Sequence, residues 1–205
     1  MRRPAQRRDH IEVRPRRLHH QHVGPLGRVE GRLGVCVPGL VDRHGVLLAA
    51  PNLTQVRHLR LKDRLEAACE VEVSVDNDNT VACLAEWKLG AGRSVDDMLL
   101  VGLGTGIGGG FVSGGAIQRG HHGFAGEFGH MIVDTDGVPC PCGQRGCWER
   151  YASGSGLGYL ARRAASDGLL ESVLAEVGDI EVIRGEHVTR AALAGDRQAL
   201  AVVDN

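Results

Sequence analysis

The sequence predicts an α/β fold, and three observations carry that reading. Short apolar runs of β-forming residues, such as VEVSV, alternate with stretches such as LKDRLEAACE whose apolar residues recur at helical spacing. Glycine-marked turns separate several of the strand-like runs, most densely in GTGIGGG. The last third of the chain, beginning with GLGYLARRAASDGLLESVLAEVG and ending in HVTRAALAGDRQALAVV, is helical in pattern.

Residues 1–33 are rich in Arg and His, with no apolar run and no periodicity of either kind, so they are expected to form a poorly structured basic segment. From Gly34 the pattern changes. GVCVPGLVD reads as a strand ending in a Pro-Gly turn, and GVLLAAPNL as a second strand ending in a loop. LKDRLEAACE comes next as a helix, VEVSV as a strand, then a polar loop and a helix over DNDNTVACLAEWKLGAG. DDMLLVGL has the pattern of a buried strand, GTGIGGG of a glycine turn, and GFVSGGAIQRG of a continuing hairpin. The chain shows no internal repeat and no Pro-rich linker.

With 205 residues, 42% of them hydrophobic, the chain can bury one sizeable core or two small ones. A formal net charge of -1 gives no general attraction to nucleic acid or to a membrane surface, and no apolar run is long enough to span a bilayer. Small molecules or other subunits are the expected partners. The basic start could serve as a nucleic-acid arm, but no helix-turn-helix pattern stands beside it. It lacks the apolar stretch of a signal peptide, which points to the cytoplasm.

Cys140, Cys142 and Cys147 cluster in HMIVDTDGVPCPCGQRGC, ten residues after His130 and onward, and together the four offer the ligand types of a tetrahedral structural zinc site. Gly143 and Gly146 suit a backbone that curls around one ion, because glycine tolerates positive φ. Four protein ligands close the coordination sphere, so such a metal is structural and no Lewis acid. Cys36, Cys69 and Cys83 stand alone in apolar surroundings and are expected to be small buried hydrophobes.

Asp78, in SVDNDNT, falls where a strand meets a helix. A carboxylate there is held ionised by the exposed helix N–H groups and can take a proton from a substrate hydroxyl; the competing reading is a plain helix cap. The turn after LLVGL, with Gly104, Thr105, Gly106 and Gly108, could cradle phosphate oxygens on its N–H groups or could be a tight hairpin without a ligand. The residues after Gly110 are strand-like and open no helix, which rules out a dinucleotide-binding turn. Glu127 and His130 in GEFGH, with Glu149 just past the cysteines, are well placed to bind sugar hydroxyls; the competing reading of either Glu is a solvated surface residue.

Taken together, LLVGLGTGIGGGFVSGG, RGHHGFAGEFGH and CPCGQRGCWERYASG resemble the signature and zinc-binding segments of the ROK family of repressors and sugar kinases, over Gly34 to about Asn205. The resemblance implies an actin-like ATPase, ribonuclease H-like sugar-kinase fold with a zinc-stabilised loop. Residues 34–100 would be the remainder of the N-terminal lobe, and 101–205 the start of the C-terminal lobe. It implies Asp78 as catalytic base; Gly39, Asn77, Asp78, Glu127, His130 and Glu149 as substrate contacts, with Asn52 a weaker candidate; and Gly104, Thr105, Gly106 and Gly108 against phosphate. Cofactors would be structural Zn2+, ATP and Mg2+, with glucose or a related hexose as substrate.

The same resemblance implies a glucokinase, cytoplasmic and homo-oligomeric (dimer or tetramer) at full length, with no nucleic-acid or membrane partner. The alternatives it leaves open are a sugar-sensing transcriptional regulator and a kinase for another sugar, an N-acetylhexosamine or fructose. Three departures accompany it. Nothing in Met1–Leu33 resembles the family's Asp-x-Gly-Gly-Thr phosphate loop, and the Gly-rich adenosine segment is not found, so weak turnover is expected of the chain as it stands. Thr80 stands where the family usually has a second Asn.

Overall fold

A computed structural model describes residues 31–50 and 55–204. The expected basic segment therefore lies outside the described residues up to position 30, and so does Asn52. Its last residues differ from the expectation: strand β1 spans Arg32–Val37, starting two residues ahead of the change in pattern at Gly34.

β1 pairs in parallel with β5 (Glu72–Asn77), from Arg32 opposite Glu72 to Val37 opposite Asn77. Between them in sequence come β2 (Leu40–Val41), β3 (Leu47–Ala49) and β4 (Arg57–Leu59), which form an antiparallel sheet, and α1 (Leu61–Cys69). β4 has no apolar alternation and is not legible in the sequence; it exists because its backbone pairs with β3, Leu47 opposite Leu59. Val41, Leu47 and Ala50 form a small core under these strands, joined by Val37 and Val75.

The loop expected before the second helix is absent. β5 runs to Asn77, and α2 (Asp78–Leu89) starts at the next residue. The side-chain oxygen of Asn77 accepts from the N–H groups of Asn79 (2.9 Å) and Thr80 (3.1 Å), a complete helix cap that needs no loop.

α2 then lies across an antiparallel sheet of β6 (Met98–Leu103), β7 (Ile107–Ser113) and β8 (Ala116–Gln118). The glycine run in β7 is what lets it approach. A Cβ on Gly108 would sit 2.4 Å from the Asn79 amide, and one on Gly110 would sit 2.7 Å from Cβ of Cys83. On the other face a Cβ on Gly109 would meet Leu100 O at 2.4 Å and the Phe128 ring at 2.6 Å. Gly109→Ala should therefore destabilise the fold by about 1–3 kcal/mol, read from its urea unfolding midpoint. An unchanged midpoint would mean that the sheet spreads without cost.

β6 is not the buried strand its apolar run suggests. Burial alternates along it, with Leu99 63% and Leu103 66% exposed. Only the face toward α2 is covered by described residues. The isolated cysteines divide similarly: Cys83 is buried on α2, Cys69 is half-buried, and Cys36 is exposed because it falls on the open face of β1.

Past the cysteine loop come α3 (Glu149–Ala152), α4 (Gly154–Ser166), α5 (Glu171–Val177), α6 (Gly185–Leu193) and α7 (Arg197–Val203). Ala161, Leu170, Val173, Ile183, Val188 and Ala199 close a second core among them. Of the one-core and two-core options that composition left open, the described residues take two. No described helix is long and apolar enough to cross a membrane.

Candidate active site and metal centre

Asp78 occupies the first turn of α2, and the cap is its neighbour Asn77, so the plain-cap reading of Asp78 does not hold. One carboxylate oxygen of Asp78, Oδ1, accepts from the backbone N–H (2.9 Å) and side-chain amide (3.0 Å) of Asn79. Oδ2 accepts from no described residue, which leaves it for an incoming hydroxyl. Asn77 is heavily engaged. Besides capping, its Nδ2 donates to the carbonyl of Gly39 (3.1 Å), which ties the Pro38-Gly39 turn to the start of α2.

Glu127 precedes a 3-10 turn at Phe128–His130 that packs on β7. Burial pushes its carboxyl above the usual carboxylate range; His130 pulls it back, while the charges of Glu149 and Asp78 raise it further. Asp78, His130 and Glu149 thus each lie within electrostatic reach of Glu127, although the four groups come from three separate elements.

Glu149 opens α3, and its Oε2 accepts the N–H of Ile107 at 2.8 Å. Its other oxygen remains for a ligand. This bond joins the acids to the glycine turn, as does α4, whose Gly154 and Ser155 N–H groups donate to the carbonyls of Gly104 (2.9 Å) and Thr105 (3.0 Å). With its carbonyls so occupied, the turn has N–H groups at Thr105 and Gly106 that donate to no acceptor among the described residues. Two adjacent unpaired N–H groups in a turn suit an anion. Gly108 is different. It lies in β7 opposite Gly102, where its small size admits α2, so of the four expected residues only Gly104, Thr105 and Gly106 lie in the turn.

His130, Cys140, Cys142 and Cys147 bring one imidazole nitrogen and three sulfurs within 4.8 Å of one another. Metal–sulfur bonds of about 2.3 Å put neighbouring ligands of a tetrahedron about 3.8 Å apart. The separation of Cys140 Sγ from His130 Nδ1 is 3.8 Å, and that of Cys142 Sγ from Cys147 Sγ is 3.6 Å. The donor set therefore fits one tetrahedral metal. The two glycines of the loop take positive φ, 96° at Gly143 and 66° at Gly146, and a Cβ at Gly146 would fall 1.5 Å from Asp134 O. Burial, and then the two neighbouring thiols, push Cys147 up to about 12. A cation reverses that order, because it binds the thiolate. With Nδ1 turned to the sulfurs, His130 keeps Nε2 for a second partner, so metal and substrate contact do not compete.

Sequence reasoning missed the links between these parts: the Glu149–Ile107 bond, the Gly154 and Ser155 donors, and an ion pair between Asp76 and Arg119. Only SGSG at the mouth of a helical run hinted at any of them.

Residues 21–205 match the ROK family. The glucokinase of Streptomyces coelicolor is 39% identical over 167 residues, 80% of this chain and 52% of that protein. The xylose repressor of Bacillus subtilis is 39% identical over 121 residues, 59% of this chain and 31% of that protein. The crystal structure of a ROK family glucokinase from Streptomyces griseus in complex with glucose and AMPPNP superposes with a TM-score of 0.68 at 40% identity, over 82% of this chain and 55% of that one. The chain thus spans about half the length of the glucokinases it matches. The fold is that of ROK sugar kinases, in the actin-like ATPase superfamily. By the extent of the match and by sequence identity, this chain belongs to the ROK family.

Proposed function

We propose that the chain carries the hexose site and catalytic base of an ATP-dependent glucose kinase. The observation that carries this is the convergence of Asp78, Glu127, His130 and Glu149 beside a glycine turn with unpaired N–H groups. In this reading residues 34–100 belong to one lobe and 101–205 to the other. Glucose sits between them, its hydroxyls on Glu127, the Nε2 of His130, the free oxygen of Glu149, the remaining N–H of Asn77 and the Gly39 turn. Oδ2 of Asp78 takes the proton of the C6 hydroxyl as that oxygen bonds to the γ-phosphorus of MgATP and the bond to ADP breaks. The N–H groups of Thr105 and Gly106 neutralise charge on the transferring group.

Zinc suits the His130, Cys140, Cys142 and Cys147 set, and would fix the loop that holds His130 and Glu149. Magnesium enters with ATP. Support for glucose and ATP comes from the Streptomyces griseus relative, whose structure holds glucose and AMPPNP. By the same family likeness the whole protein is read as a cytoplasmic homo-oligomer. A sugar-sensing regulator is the second reading, favoured by the identity to a xylose repressor. The two part in one assay: with MgATP and a panel of hexoses, a kinase makes hexose 6-phosphate and ADP in equal amounts, glucose first. Sugar binding without any transfer would support the sensor.

A further inference from the structure

The two halves of the proposed sugar site follow different sheets, Asp78 directly after β5 and Glu127 past β8, and the structure ties them together outside that site. Nε and Nη2 of Arg119 both donate to Oδ2 of Asp76, each at 2.8 Å. Oδ1 of Asp76 accepts the N–H of Asn77 at 2.9 Å. The carboxylate thus grips Arg119 with one oxygen and the backbone of the α2 cap with the other. Asp76 is two residues before Asp78, and Arg119 directly succeeds β8 on the segment leading to Glu127.

A second tie runs the opposite way. Arg43, from the turn between β2 and β3, donates through Nε to the carbonyl of Gly120 at 2.9 Å, with Nη2 on the same oxygen. Nearby, Gly123 packs so closely on that turn that a Cβ would lie 2.7 Å from Val41 O. Between the ties, Val41, Asp42, Arg43, Asp76, Gln118 and Arg119 line a cavity of about 260 Å3. Across this gap, between the packing of Gly123 on Val41 and that of α2 on β7, the two sides are joined by the polar ties.

We propose that Asp76 and Arg119 are a positioning pair that fixes the Asn77–Asp78 edge of the sugar site against its Glu127–His130 edge. The pair touches no substrate and acts through the backbone of Asn77. Its side chains, 18% and 36% exposed, are partly buried, so its removal carries only a modest cost in global stability. Small displacements between binding groups matter far more to ligand affinity and reaction geometry. The proposal rests on the hexose reading above.

The test is a double-mutant cycle on the chain with Asp76→Asn, Arg119→Gln and both together, read by calorimetric glucose titration, unfolding midpoint and hydrogen exchange. Each single variant should weaken glucose binding by about tenfold with little change in midpoint, and the double variant should be no worse than the weaker single, as for two halves of one contact. Exchange should quicken at residues 77–80 and 120–127 and stay as it was in α4 to α7. Unchanged affinity in Arg119→Gln, or losses that add in the double variant, would overturn the pair. A parent chain that binds no hexose overturns the hexose reading instead. Exchange then decides the tie alone: quickening at both segments upholds it, and unaltered exchange in Arg119→Gln refutes it.

Discussion

Asp78→Asn should lower phosphoryl transfer from MgATP to glucose by about 10²–10⁴-fold relative to the parent chain, while glucose affinity falls only a few-fold. The two side chains are nearly the same shape. Asn keeps one carbonyl oxygen to receive the Asn79 N–H and places an NH2 where Oδ2 stood, which can donate to the sugar oxygen but cannot take up a proton. A residue present only for helix formation would behave otherwise, and here the cap is Asn77, which the substitution leaves in place. Steady-state rates with a parallel glucose titration separate the two effects. An unchanged rate removes Asp78 from the mechanism.

Loss of the metal should have the other large effect. Purified protein should carry one zinc per chain, and Cys142→Ala or Cys147→Ala should leave less than half of that by elemental analysis. Structural zinc in small domains is worth about 10–16 kcal/mol of apparent binding energy, comparable to the whole stability of an ordinary domain. Besides turn hydrogen bonds, the loop is held by two isolated bridges, Ile132 with Cys147 and Pro139 with Arg145, and by the Tyr151 hydroxyl, which accepts the Val138 N–H and donates to Asp134. Chelation should quicken hydrogen exchange across residues 131–148 and weaken glucose binding through His130 and Glu149, while the core of α4 to α7 persists because it is a separate cluster. Full zinc content in Cys142→Ala, or equal glucose affinity with and without metal, contradicts the site.

Local chemistry makes much of this legible in the sequence. VEVSV and the helix after it, the hairpin on either side of Gly114 and Gly115, and the terminal helices are set by periodicity and turn residues, and each appears in the structure. The clustering of His130, Cys140, Cys142 and Cys147 is legible because these residue types are rare and dense there. The hidden part is non-local. Arg119 and Asp76 are 43 residues apart, and nothing in either neighbourhood announces the other. GIGGG reads as a turn, yet three of its glycines lie in β7 because α2 and Phe128 press on both faces of that strand. The apolar run of β6 suggests burial on both sides, whereas among the described residues only one side is covered.

The measurement closest to the central claim is a calorimetric titration of glucose into the zinc-loaded chain, repeated for Glu127→Ala. The hexose site predicts one binding event per chain and a loss of about tenfold or more in the variant, because a half-buried carboxylate that accepts sugar hydroxyls leaves those hydroxyls unpaired when removed. No saturable binding in the parent chain, or the same affinity in Glu127→Ala, contradicts it.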